Sequence, residues 1–168
     1  MLSLKRMLLA GLAGVGLSVT ALSAAISIDD PLPDLSAYSL QGALPDLAGK
    51  VVLLDFWASW CAPCKESFPA FTALQRELAD RGFVILAVSV DQRPRDYERF
   101  LTRLAPGFAT VLDAEQTLVA AFEPPAMPTS FLFGRDGRLR AVHAGFHGDR
   151  TIESLRAEIL QLLSAPAP

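Results

Sequence analysis

The run Val51-Val52-Leu53-Leu54-Asp55-Phe56-Trp57 constrains this chain more than any other stretch, because it is almost continuously apolar and rich in β-forming side chains. A strand with one wet face alternates apolar and polar residues. A strand without alternation is buried on both faces, the habit of parallel sheets covered by helices. Such a sheet needs crossover helices, and the next residues supply one. Phe68, Phe71, Leu74 and Leu78 recur at helical spacing after Cys61, and Gly82 stands where a left-handed residue closes a helix.

The pattern then repeats. Phe83 to Val90 reads as a second buried strand, and 94–104 as a helix with Pro94 at its first position and Tyr97, Phe100, Leu101 and Leu104 on one face. A short strand near Ala109 to Leu112 and a helix from Ala114 to Phe122 follow. The runs TSFLF (129–133) and LRAVHAGF (139–146) flank Asp136-Gly137, a hairpin signal. A last helix spans roughly Thr151 to Leu163, with Ile152, Leu155, Ile159 and Leu162 or Leu163 at helical spacing. This order predicts an α/β fold, a mixed central sheet flanked by helices.

The chain has 168 residues, enough for one ordinary domain, here assigned to 48–164. Residues 1–28 read as a targeting segment: Lys5 and Arg6 precede a run from Met7 to Ile28 without charge. Ser23-Ala24-Ala25 suits a cleaved signal peptide, whereas the length of the run, residues 7–28, suits a retained membrane anchor, and both readings stay open. Either one delivers the remainder outside the cytoplasm, to a periplasmic or other extracytoplasmic place. Residues 29–47, rich in Pro and Gly, read as an extended lead-in with Leu35 to Leu40 as a short edge strand, and 165–168 as a tail. Without residues 1–28 the chain keeps 13 of its 15 basic side chains and all 18 acidic ones, a formal charge of −5. That charge, and the lack of a basic stripe or a phosphate loop, speaks against a nucleic-acid role.

Both cysteines, Cys61 and Cys64, lie in WCAPCK, between the first strand and its helix. The unpaired N–H groups and dipole of a helix start favour an anion, and a thiolate is one. The acidity of Cys61 should therefore rise from the ordinary pKa of about 8.5 toward roughly 7 or below. Cys64, one turn later and deeper, is placed to attack a mixed disulfide, with Ala62 and Pro63 keeping the loop short and stiff. Zinc would need four ligands, and the only histidines, His143 and His147, are far along the chain. Haem attachment would need His where Lys65 stands. A structural disulfide so short would barely restrain the unfolded chain. Thiol–disulfide exchange is the reading that survives.

Asp55 interrupts the apolar strand six residues before Cys61. Burial should raise its pKa and place it beneath the dithiol as proton acceptor and donor for Cys64. The competing reading is a strand-end carboxylate paired with Lys50 or hydrated.

The stretch DFWASWCAPCK resembles the thioredoxin superfamily, and within it the TlpA/ResA-like exported thiol-disulfide oxidoreductases, over about residues 48–163. The resemblance implies a thioredoxin-like fold with an extra helix-strand insertion at 94–112. It implies that Trp60, Cys61, Ala62, Pro63 and Cys64 form the active-site motif and that Pro69 kinks the helix. Pro128 would follow a cis bond and face the disulfide, with the backbone of Met127 pairing to a substrate strand. Trp60, Ala62, Pro63, Met127 and Pro128 would then meet substrate. Two positions depart from that branch. Asp55 stands where Asn is frequent, and Ser67 where a glutamate is often found; Glu66, about 100° around the helix, does not replace it.

The expected activity is that of a protein-disulfide reductase with no cofactor beyond a redox-active Cys61–Cys64 disulfide. By resemblance its partners would be disulfide-bearing proteins, such as cytochrome c apoproteins or copper-site proteins, and a membrane thiol-electron donor. The protein is expected to be monomeric, with a possible tether through residues 7–28. Alternatives are a disulfide-forming oxidant and, from another class, a metal carrier using Cys61, Cys64 and Met127. The few Met and His weaken the latter. A peroxidase finds no peroxide-binding pattern around a lone reactive Cys.

Overall fold

The computed structural model describes residues 25–165. The targeting segment expected at residues 1–28 lies almost wholly outside the described residues. Among those described, no helix is long and apolar enough to cross a membrane.

Five strands and four helices follow the expected order: β1 (Val51–Trp57), α1 (Ala62–Leu78), β2 (Phe83–Ser89), α2 (Pro94–Leu104), β3 (Ala109–Leu112), α3 (Thr117–Phe122), β4 (Thr129–Phe133), β5 (Leu139–Ala144) and α4 (Asp149–Ser164). The sheet order is β3-β2-β1-β4-β5, with β1 parallel to β2, β2 parallel to β3, and β4 antiparallel to both β1 and β5. The β1 run is central, which explains its missing alternation: all seven residues are buried. Val51 and Leu53 pack with Phe71, Leu74 and Leu78 of α1 and Leu155 and Ile159 of α4. Val52, Leu54 and Phe56 point the other way, into a cluster with Phe122 and Phe131.

Gly82 closes the α1 region in the left-handed conformation, φ 90°, after a short 3₁₀ turn at Ala79–Arg81. The Asp136-Gly137 pair sits in the β4–β5 turn, where Gly137 has φ 71°. The inserted helix α2 is anchored by one fully buried residue, Phe100, whose ring lies 4.3 Å from Trp57 and 5.0 Å from Phe68.

Two expected elements differ. Leu35–Leu40 is not an edge strand: Leu35–Ala37 forms a 3₁₀ turn, because the Asp34 carboxylate accepts from Ser36 N–H at 2.9 Å and draws the backbone into a turn. Two isolated bridges remain among the described residues, Pro31 to Arg138 and Gln41 to Leu112. The α3 helix starts at Thr117 rather than Ala114, since buried Asp113 accepts from Thr117 and Val119 N–H at 3.0 and 2.8 Å while Gln116 turns left-handed. The lead-in is also docked rather than free. Asp29 N–H donates to Leu139 C=O and Leu139 N–H to Asp30 C=O, both at 2.9 Å, and Leu35 is buried.

Candidate active site

After Trp57 the chain reverses in a tight turn, with Cys61 N–H donating to Ala58 C=O at 3.1 Å, and runs back as α1 over the face that Leu53 occupies. Cys61 is the cap of α1: its backbone is extended and its Sγ accepts from Cys64 N–H at 3.2 Å. Pro63 fits the first helical turn, where a missing N–H costs nothing. Cys61 and Cys64 are joined as a disulfide, Cα atoms 5.3 Å apart, so the site is in its oxidised form. Cys61 is 5% exposed and Cys64 0%, the expected order of depth, although both are well covered in this state. Around them Trp60 is 68% exposed, and Ala62 and Pro63 are also exposed.

Pro128 follows a cis bond after Met127, as the resemblance implied. Pro128 is buried and Met127 half-buried. Among the described residues no hydrogen bond engages the Met127 backbone. Beside Trp60 lies a polar cleft of about 410 Å³ lined by Asp91, Arg93, Asp96 and Gln116.

Asp55 shares its face of β1 with Val51, Leu53 and Trp57, the side α1 covers. It is fully buried, and burial pushes its pKa up to about 7 despite the hydrogen bond from Ser130, which pulls the other way. Ser130 Oγ donates to Oδ1 at 2.6 Å, whereas Oδ2 has no partner. Lys50 pairs instead with Asp46 at 3.3 Å, so the surface-pair reading of Asp55 fails. Ser67 is buried under the first turn of α1, donating to Cys64 C=O at 3.0 Å, and Glu66 faces out.

His143 hydrogen-bonds Glu158 at 2.8 Å from β5 to α4, and His147 lies in the loop between them. Among the described residues no group of three or more His, Cys, Asp or Glu is arranged to hold a metal. Two residues of the site escaped the sequence reading. Asp91, buried at the end of β2, accepts from Ser89 Oγ at 2.8 Å and also holds the turn before Cys61. Ser130 is the other. Its only signal was adjacency to the segment Met127-Pro128-Thr129.

Comparison with known proteins agrees with this geometry. The AhpC/TSA family profile matches residues 28–142. The thiol-disulfide oxidoreductase ResA of Geobacillus thermodenitrificans is 31% identical over 124 residues, 72% of this chain and 71% of that protein. ResA of Bacillus subtilis is 33% identical over 102 residues, 61% of this chain and 57% of its own length. Among solved structures, a Chlorobium tepidum protein assigned as the thiol:disulfide interchange protein DsbE superposes with a TM-score of 0.77 at 34% identity, covering 83% of this chain and all of that one. StoA of Bacillus subtilis gives 0.57 at 27% identity over 66% of this chain and 82% of its own. With the matched span, the identity and the dithiol at the start of α1 in agreement, this chain belongs to the AhpC/TSA family, as a ResA-like thiol-disulfide oxidoreductase of thioredoxin-like fold.

Proposed function

We propose that the protein reduces disulfides in other proteins outside the cytoplasm. The observation that carries this is the Cys61–Cys64 pair at the cap of α1, next to the exposed Trp60, with the buried carboxylate of Asp55 on the β1 face that α1 covers. In the reduced enzyme the Cys61 thiolate attacks one sulfur of a substrate disulfide. A Cys61–substrate bond forms, the substrate disulfide breaks, and the departing thiolate takes a proton from water. Asp55 then accepts the proton of the Cys64 thiol, and the electron pair left on Cys64 Sγ forms the bond to Cys61 Sγ. The mixed disulfide breaks, the second substrate thiolate leaves and is protonated, and Asp55 releases its proton. Two electrons have passed to the substrate, with no bound cofactor.

Trp60, Ala62, Pro63, Met127 and Pro128 are the residues we assign to substrate contact. Trp60 supplies exposed aromatic area, and the Met127 backbone makes no hydrogen bond to the described residues. By family resemblance the substrates are cytochrome c apoproteins or copper-site proteins, a membrane thiol carrier restores the dithiol, residues 7–28 deliver or tether the protein, and it works as a monomer.

The test is a Cys64→Ala trap. Without the resolving thiol, mixed disulfides should accumulate on Cys61, and their partners can be identified. Failure to trap any partner, together with insulin reduction by a Cys61→Ala variant at the parental rate, would refute the assignment.

A further inference from the structure

We propose that Ser130 is a positioning residue of the exchange reaction: its hydroxyl pins Oδ1 of Asp55 and leaves Oδ2 as the oxygen that receives the proton of Cys64. The proposal rests on the reading of Asp55 as the proton acceptor.

The geometry carries it. Asp55 and Ser130 are direct partners in the antiparallel β1–β4 register, so the contact is fixed by the centre of the sheet rather than by a flexible loop. Asp55 is 0% and Ser130 4% exposed, and the Oγ–Oδ1 distance is 2.6 Å. A serine hydroxyl has one hydrogen, and at this distance it is committed to Oδ1. Oδ2 is buried with nothing to bond, a condition that folded proteins seldom leave without a use. A hydroxyl donating to a carboxylate is stronger than one donating to a neutral acid. Ser130 therefore favours the ionised form, the only form able to take a proton, against the burial that favours the neutral one.

No other group does this work. The shift at Asp55 has burial and Ser130 as its causes, with no cation or second carboxylate among them. From β2 the register brings Ala87 against Asp55. The titratable groups in the first turn of α1 are Cys61 and Cys64, joined to each other, and Lys65, which is exposed. Ser130 also lies two residues beyond Pro128, so the group that orients the acid belongs to the segment that faces substrate.

The experiment compares insulin reduction from pH 5 to 9 by the parent, Ser130→Ala, Ser130→Thr, Asp55→Asn and the Asp55→Asn/Ser130→Ala double variant, with urea unfolding of each as a fold control. In the parent the rate should rise through a step near pH 7, where Asp55 ionises. Ser130→Ala should move that step up by about one pH unit, the worth of a hydroxyl bond to a charged group, and slow exchange at pH 7 by roughly fivefold as the ionised fraction falls. Ser130→Thr keeps the hydroxyl and should restore the parental profile. In the Asp55→Asn background Ser130→Ala should change nothing further. If Asp55→Asn removes the step and Ser130→Ala leaves it in place, the role of Ser130 is wrong and that of Asp55 stands. If Asp55→Asn reduces insulin at the parental rate at every pH, the reading of Asp55 fails and the proposal with it.

Discussion

Asp91 and Ser59, 32 residues apart in sequence, share two hydrogen bonds: Ser59 N–H donates to Oδ2 at 3.0 Å and its hydroxyl to Oδ1 at 2.8 Å. Val90 N–H donates to Trp57 C=O at 2.9 Å alongside them. The end of β2 thus braces the turn that presents Trp60 and Cys61.

Asp91→Ala removes the acceptor of the half-buried Ser59 N–H and hydroxyl and of the fully buried Ser89 hydroxyl. The expected cost is about 1–3 kcal/mol of stability for each donor left buried without a partner. Asp91→Asn, which retains an acceptor oxygen, should lose less. Urea unfolding of the oxidised proteins measures both, and equal stability of the alanine variant and the parent would remove the brace.

The buried carboxyl of Asp55 makes stability depend on pH in a defined direction. Its pKa is about 7 when folded against an ordinary 3.8, so between these values the folded state holds a proton that the unfolded state has released. Stability from this group is full below pH 3.8 and is lost as pH rises through about 7, a change on the order of 4 kcal/mol at most. Asp55→Asn, always neutral, should therefore be more stable than the parent at pH 8, with the gap narrowing at pH 5. Urea unfolding of the oxidised proteins at the two pH values checks this; a parent that gains stability on going from pH 5 to 8 relative to the variant contradicts it.

Phe100 is the buried anchor of the inserted helix α2, packed at a tilt on Trp57 and edge-to-face on Phe68. Phe100→Ala should cost about 3–5 kcal/mol, the usual penalty for emptying an aromatic site in a core. Thermal unfolding reads the loss. A near-neutral result would mean that α2 adds little to the core.

Cys61 should be the more acidic and more reactive thiol once the disulfide is reduced. It caps α1 and receives the Cys64 N–H, and a thiol so placed titrates well below the free value of about 8.5. Iodoacetamide at neutral pH should label Cys61 far ahead of Cys64, as peptide mapping would show. Equal labelling of the two would argue against the assigned nucleophile.

Local signals made much of the molecule legible. The unbroken apolarity of Val51–Trp57 marked a central strand, the spacing of Phe68, Phe71, Leu74 and Leu78 marked its helix, and Asp136-Gly137 marked the hairpin turn. Where the expectation missed, a polar side chain had captured nearby backbone: Asp34 turned the lead-in at Leu35, and Asp113 delayed α3 to Thr117.

The sequence by itself determined the strand and helix order, the place of the dithiol at a helix start and the burial of Asp55, because each follows from residue type and spacing within a few turns of chain. Only the tertiary structure decided that Ser130, 75 residues away, bonds Asp55, and that Asp91 holds Ser59. Those pairs arise from strand register and from the meeting of two loops, which the packing of the whole sheet selects and no local pattern encodes.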